Sequence, residues 1–200
     1  HEQAEPSWER GDAVRTRTLC LLVASAFLAA IGTGGTAFHT AAYFTDVRIS
    51  PAVAAGAVSI MALSGALGNG LWGAVAERKS ARALNVVTML VAAGAVALLT
   101  QVATPLGAYV FAILFGVNAR GAAVLGQILI ARYYGRRAFG AISSILDPFH
   151  KGGLGLGALL AGMAFDYFGN YRLIFICFLF SYLLSALLVF LARPPAARLE

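Results

Sequence analysis

Between Leu84 and Val102 the chain carries neither a charge nor a histidine, and from Leu173 to Ala192 it is apolar throughout. Runs of this length constrain the fold more than any motif does. About 20 mostly apolar residues, rising 1.5 Å each, cross the hydrocarbon of a bilayer. Sixty per cent of the 200 residues are hydrophobic and only 12% are charged. A soluble domain so composed would present more apolar surface than one core can hide, so the solvent is lipid. A chain this long holds roughly six spans with short loops and no soluble catalytic domain, which makes an enzyme an unfavoured expectation. The expected fold class is therefore an all-α membrane protein with six transmembrane helices.

The runs can be followed along the chain. The first extends from Leu19 to about Phe44. Ser50-Pro51 then suits an N-cap followed by proline at the first helical position, opening a second span to about Ala76. Leu84 to Val102 is the third, and the fourth follows the Thr104-Pro105 turn to about Ile130. The fifth, from about Ala138 to Phe165, is interrupted by Asp147, Pro148, His150 and Lys151, and Leu173 to Ala192 is the sixth. By polarity, the third and sixth runs face lipid, whereas the first, fourth and fifth do not. Residues 1–17 are polar, open at His1 and lack the apolar core of a signal peptide, so they read as a cytoplasmic linker following something upstream. Residues 18–193 form the bundle and 194–200 a cytoplasmic tail.

Basic residues fix the expected orientation. Arg10, Arg15, Arg17, Arg78, Lys79, Arg82, Arg132, Arg136, Arg137, Arg193 and Arg198 fall on one side of such a bundle, and only Arg48 and Arg172 on the other. Cytoplasmic loops retain positive charge, so both termini are expected in the cytoplasm, which demands an even number of spans. Because the net charge of +6 is spent on these clusters rather than on one basic face, no nucleic-acid partner is expected. Thirteen Arg against two Lys, with abundant Ala and Gly, suits a GC-rich bacterial genome and hence a bacterial inner (plasma) membrane. Cys20 and Cys177 lie inside apolar runs without a CxxC or a partner at ligand spacing, so neither metal nor cofactor is expected.

Charges within hydrocarbon cost about 2.5 to 3.5 kcal/mol on insertion scales and need a partner or a wet cavity. Measured from the loop between the fourth and fifth runs, Arg120 lies roughly 18 Å deep, Asp147 roughly 15 Å and Lys151 roughly 21 Å. All three reach the midplane. Asp147 and Lys151, four apart, are placed to pair along a helix. Whichever cation Asp147 takes, one of Arg120 and Lys151 is left over while His150 is neutral, and a surplus cation favours an anionic ligand. Arg120 and Lys151 are thus the expected binding groups for a small organic anion, with Asn118 nearby and Asp147 and His150 as an ion pair or proton-coupling set. His39 and Tyr43, at i and i+4 near the outer end of the first span, are either substrate-facing or a hydrogen-bonded interfacial pair.

Other patterns carry less. The glycines at 65, 68, 70 and 73, and at 152, 153, 155, 157 and 162, follow no strand and precede no Lys-Ser/Thr pair, so close helix packing explains them better than phosphate binding. Ser143 and Ser144, with His and Asp on the same helix, do not build a hydrolytic triad.

Gly73-x3-Glu77-Arg78-x-Ser80-x-Arg82 resembles the loop signature of the major facilitator superfamily, with Glu for Asp and Ser for Gly. The stretches Arg132 to Gly140, Phe165 to Arg172 and His39-x3-Tyr43-x2-Asp46 are similar to segments of monocarboxylate and oxalate/formate-type members. The resemblance covers nearly the whole chain and implies one half of that fold, the C-terminal six-helix bundle, built as a 3+3 inverted repeat. It implies a secondary active transporter working by alternating access. The partners would be membrane lipid, a small anionic solute such as a monocarboxylate, and a missing N-terminal six-helix half, in the same full-length chain or as a separate subunit. Gly73, Glu77, Arg78 and Arg82 would form the conformational loop motif, and Lys151 matches a helix that supplies a substrate-binding lysine. The second run lacks the arginine those members place there. A non-transporting scaffold or regulatory subunit is the rival expectation.

Overall fold

The computed structural model describes Trp8 and residues 10–195, apart from the side chains of residues 10 and 136–138. Residues 1–7 and 9 of the expected linker, residues 196–200 of the expected tail, and the side chains of Arg136 and Arg137 therefore lie outside the described residues. A short helix, α1 (Arg10–Val14), precedes six long ones: α2 (Arg17–Asp46), α3 (Pro51–Arg78), α4 (Ala81–Leu99), α5 (Pro105–Tyr134), α6 (Arg136–Phe168) and α7 (Arg172–Leu191). No strand occurs among the described residues. The expected linker is more than a tether, because Ala13 is fully buried and Trp8 packs edge-on against Tyr134 at 5.7 Å.

The helix boundaries have local causes. Ser50 accepts from the Val53 amide at 3.4 Å with Pro51 as the first helical residue, as its sequence indicates. Thr16, Ser80 and Thr104 cap α2, α4 and α5 in the same way. Gly135, at φ 81°, breaks α5 from α6, and Gly169, at φ 68°, ends α6 in the left-handed region. Arg132 donates to the carbonyls of Ala76 and Lys79. It thereby closes the C-terminal end of α3, where unpaired carbonyls favour a cation.

Helices α2, α3, α4, α5 and α7 are long and apolar enough to cross a membrane. At 33 residues α6 is the longest, and its mean hydropathy is lowered by the charged residues near its middle. It runs along α2 over one of the two largest interfaces in the molecule, so it crosses with its partner. Pro148 stays inside α6 without ending it, at the expense of the amide bond to the Ser144 carbonyl.

The packing has a hidden two-fold order. The largest interfaces are α3 with α5 and α2 with α6, followed by α4 with α5, α2 with α7, and α4 with α7. Exchanging α2, α3 and α4 for α5, α6 and α7 maps this set onto itself. Since each unit has three spans, the second enters the membrane from the opposite side, which is the 3+3 inverted arrangement.

Glycine makes both large interfaces close. A Cβ on Gly34 would strike the Leu154 backbone, and one on Gly157 the Ile31 carbonyl, so α2 and α6 touch backbone to backbone. Gly68 against Val117 and Gly116 against Met61 do the same for α3 and α5. The packing explanation holds for only part of each glycine set. Gly70, Gly73, Gly152 and Gly155 have nothing within 4 Å of a built Cβ.

Two apolar cores fill the bundle. One is aromatic, around Phe111, Phe115, Phe175, Phe178 and Tyr182, and the other gathers Leu19, Leu125, Leu129, Ile130 and Ile142 near the basic end. On the outside, Leu63, Leu67 and Leu71 of α3 and Phe180, Leu187 and Phe190 of α7 are exposed, as lipid contact requires.

Candidate functional site

Where α2 and α5 pass each other their facing side chains are small. Ala26, Ala29 and Ala30 on α2, and Ala119, Ala122 and Ala123 on α5, border a cleft of about 650 Å3, open mouth included. Asn85 and Met89 of α4 and Val189 of α7, all buried, line it together with the exposed Asp147 and the half-buried His150 of α6. Gln127 is on the wall, its side-chain carbonyl accepting from Ser143 at 3.0 Å. Ser25, also on the wall, is held by Ser185 at 2.8 Å, and Thr33 by Tyr182 at 2.7 Å. The walls are therefore apolar, with most polar groups already engaged.

The charges lie on the face that carries this cleft. On α5, Arg120, Ala123 and Gln127 follow at helical spacing, and Ala123 and Gln127 line the cleft. On α6, Lys151 lies one turn beyond Asp147. Arg120, Asp147 and Lys151 are all exposed in the bundle, and the stem of Arg120 rests against Gly65 of α3, its Cγ 2.8 Å from a built Cβ there. None of the three forms a hydrogen bond or salt bridge with another described residue. The expected Asp147–Lys151 pair is thus not made. A mid-span charge without a partner is tolerated where it meets water or ligand rather than acyl chains.

The other expected site residues are placed elsewhere. Asn118 is buried and donates to the Leu114 carbonyl of its own helix at 2.8 Å. His39 and Tyr43 do not bond each other. His39 Nδ1 lies 3.2 Å from the Tyr171 hydroxyl and Nε2 lies 3.0 Å from the Ala158 carbonyl. With Tyr171 donating, the ring carries its proton on Nε2 and gives it to Ala158, which fastens α2 to α6 and to the turn before α7. Tyr43 stacks edge-on against Tyr171 and Phe175. Burial, then the nearby Asp46 and Asp166, pushes the Tyr171 hydroxyl above its ordinary pKa and keeps it a donor. Gly73, Glu77, Arg78 and Arg82 surround the two-residue break between α3 and α4, with Glu77 and Arg78 exposed, away from the cleft.

The model of the Major Facilitator Superfamily matches residues 21–200. The chain belongs to the Major Facilitator Superfamily. Among curated proteins, no match to it was found. Members of this superfamily are membrane transporters rather than enzymes, and the chain is accordingly a multi-pass membrane protein with the fold of half a facilitator. Its cleft lies between the first helices of the two three-helix units, α2 and α5. Asn85, Gln127, Thr33 and Ser25 were not singled out from sequence. Asn85 left one signal, a polar residue at the start of the otherwise apolar third run, three positions before Thr88.

Proposed function

We propose that this six-helix unit is the C-terminal half of a secondary transporter that moves a small organic anion, such as a monocarboxylate, by alternating access. The observation carrying this reading is that Arg120 and Lys151, two cations against the single carboxylate of Asp147, stand exposed and unpaired on the cleft-bearing face. A second six-helix unit facing them would enclose a positively charged, watery space, and rocking of the two units would open it to either side. Arg120 is the better bidentate partner for a carboxylate, and Lys151 supplies a point charge. The basic ends of the helices, including Arg132 and Arg193, would face the cytoplasm of a bacterium.

Uptake of radiolabelled short carboxylates into proteoliposomes, with the chain alone and together with an N-terminal six-helix half, tests this directly. Uptake is expected only with both halves present, and Arg120→Lys is expected to lower it. Full uptake by Arg120→Lys removes the bidentate contact. No uptake of any carboxylate by the paired halves leaves a scaffold or regulatory role.

A further inference from the structure

Helices α2 and α5 share only a small interface, and methyl groups line the space between them. Ala123 is exposed, Ala26 and Ala119 are half-buried, and Ala29, Ala30 and Ala122 are buried, so this alanine wall runs from the rim of the cleft inward. Met89, Leu146 and Val189, all buried, extend it. Among the polar lining groups, Ser25 is bonded to Ser185, Thr33 to Tyr182, and the Gln127 carbonyl accepts from Ser143, while Asn85 is buried. Water finds few partners in such a space, whereas a hydrocarbon chain escapes its own contact with water there.

The charges decide which end of an anionic solute enters. Asp147 is in the lining and repels a second carboxylate, and His150 on the same helix offsets it only when protonated. Arg120 and Lys151 are exposed and do not line the cleft, although each adjoins a lining residue, Ala119 and His150 respectively. The stem of Arg120 turns instead towards Gly65 of α3. A carboxylate therefore belongs outside with the two cations, and the apolar remainder of the solute belongs with the alanines.

We infer that this cleft is a subsite for a hydrocarbon chain of the solute, which makes the transported anion an aliphatic carboxylate whose chain length is selected by the alanines of α2 and α5. The carboxylate end rests on the proposed anion transport. The hydrocarbon subsite stands on the cleft itself.

Ala123→Cys, in a background with Cys20→Ala and Cys177→Ala, puts a thiol on the exposed rim of the cleft. Protection of that thiol from a membrane-impermeant reagent, in lipid vesicles at pH 8, where an ordinary histidine is neutral, reads occupancy by acetate, butanoate, hexanoate and 6-hydroxyhexanoate. The half-protecting concentration is expected to fall about fourfold per added methylene, the scale of burying one such group. A terminal hydroxyl is expected to cost hexanoate about tenfold. Ala26→Leu and Ala119→Leu, which fill the wall, are each expected to reduce the step to less than about twofold. The hydroxyl comparison needs neither variant, so it carries the test if circular dichroism shows both to be misfolded. Equal protection by hexanoate and 6-hydroxyhexanoate, a step unchanged in folded leucine variants, or no protection by these acids or by butan-1-ol and hexan-1-ol overturns the hydrocarbon subsite. Protection by the two alcohols that rises with chain length, with no carboxylate effective, supports the subsite and removes the anion instead.

Discussion

Arg120 shows how one residue is held ready without being used up. Its aliphatic stem lies on Gly65 of α3, so the guanidinium is steered by packing while its five donors stay free for a ligand. Arg120→Ala is expected to cut carboxylate uptake by about tenfold or more, as loss of a charged hydrogen bond implies, with membrane insertion intact because no buried partner is orphaned. At the N-terminal end of α7, Tyr171 acts through its protonation state. Its pKa in the folded protein stands above the ordinary 10.0, so the stability its neutral form contributes is full below pH 10 and drains away as pH rises through the raised value. Thermal melting in detergent between pH 9 and 11 is expected to fall less steeply for Tyr171→Phe than for the natural chain, and an unchanged slope would show that other groups govern it. The ionisable residues were legible in the sequence because a charge inside an apolar run is conspicuous. Asn85 was not, since an uncharged amide at the start of such a run gives no sign of which way it points, and only the assembled helices set it in the wall of the cleft.

At the scale of the element, the glycines divide the helices into faces that touch and faces that do not. A side chain at Gly157 meets the backbone of α2, whereas one at Gly155 meets nothing within 4 Å. Gly157→Val is therefore expected to destabilise the bundle by about 1 to 3 kcal/mol through overpacking. Gly155→Ala is expected to be neutral or to stabilise by up to about 1 kcal/mol through helix propensity. Melting temperatures in one detergent compare the two, and equal losses would contradict the backbone contact between α2 and α6. Span number and caps such as Ser50-Pro51 were readable because length and local turn chemistry determine them. Which glycines pack was not readable, because Gly152, Gly153, Gly155 and Gly157 are indistinguishable in sequence while α2 passes only two of them. The third run likewise read as lipid-facing, although only one side of α4, with Val87 and Leu90, is exposed, and the other buries Asn85, Thr88 and Met89.

In the whole molecule, symmetry and charge converge on one face. The two three-helix units place α2 and α5 side by side, their alanines leave the cleft, and Arg120, Asp147 and Lys151 stand exposed with no salt bridge among them. Their exposure at mid-span makes sense only if water reaches them, and that is measurable. In a background with Cys20 and Cys177, both exposed and unpaired, replaced by alanine, single cysteines at positions 120 and 151 can be tested with a charged, membrane-impermeant thiol reagent in lipid vesicles. A cysteine at the lipid-facing position 180 serves as the control. Rapid labelling at 120 and 151, with position 180 inert, is the expected result. Labelling at 120 and 151 by a lipid-soluble maleimide alone, as at 180, would contradict a water-filled cleft and with it transport through this face.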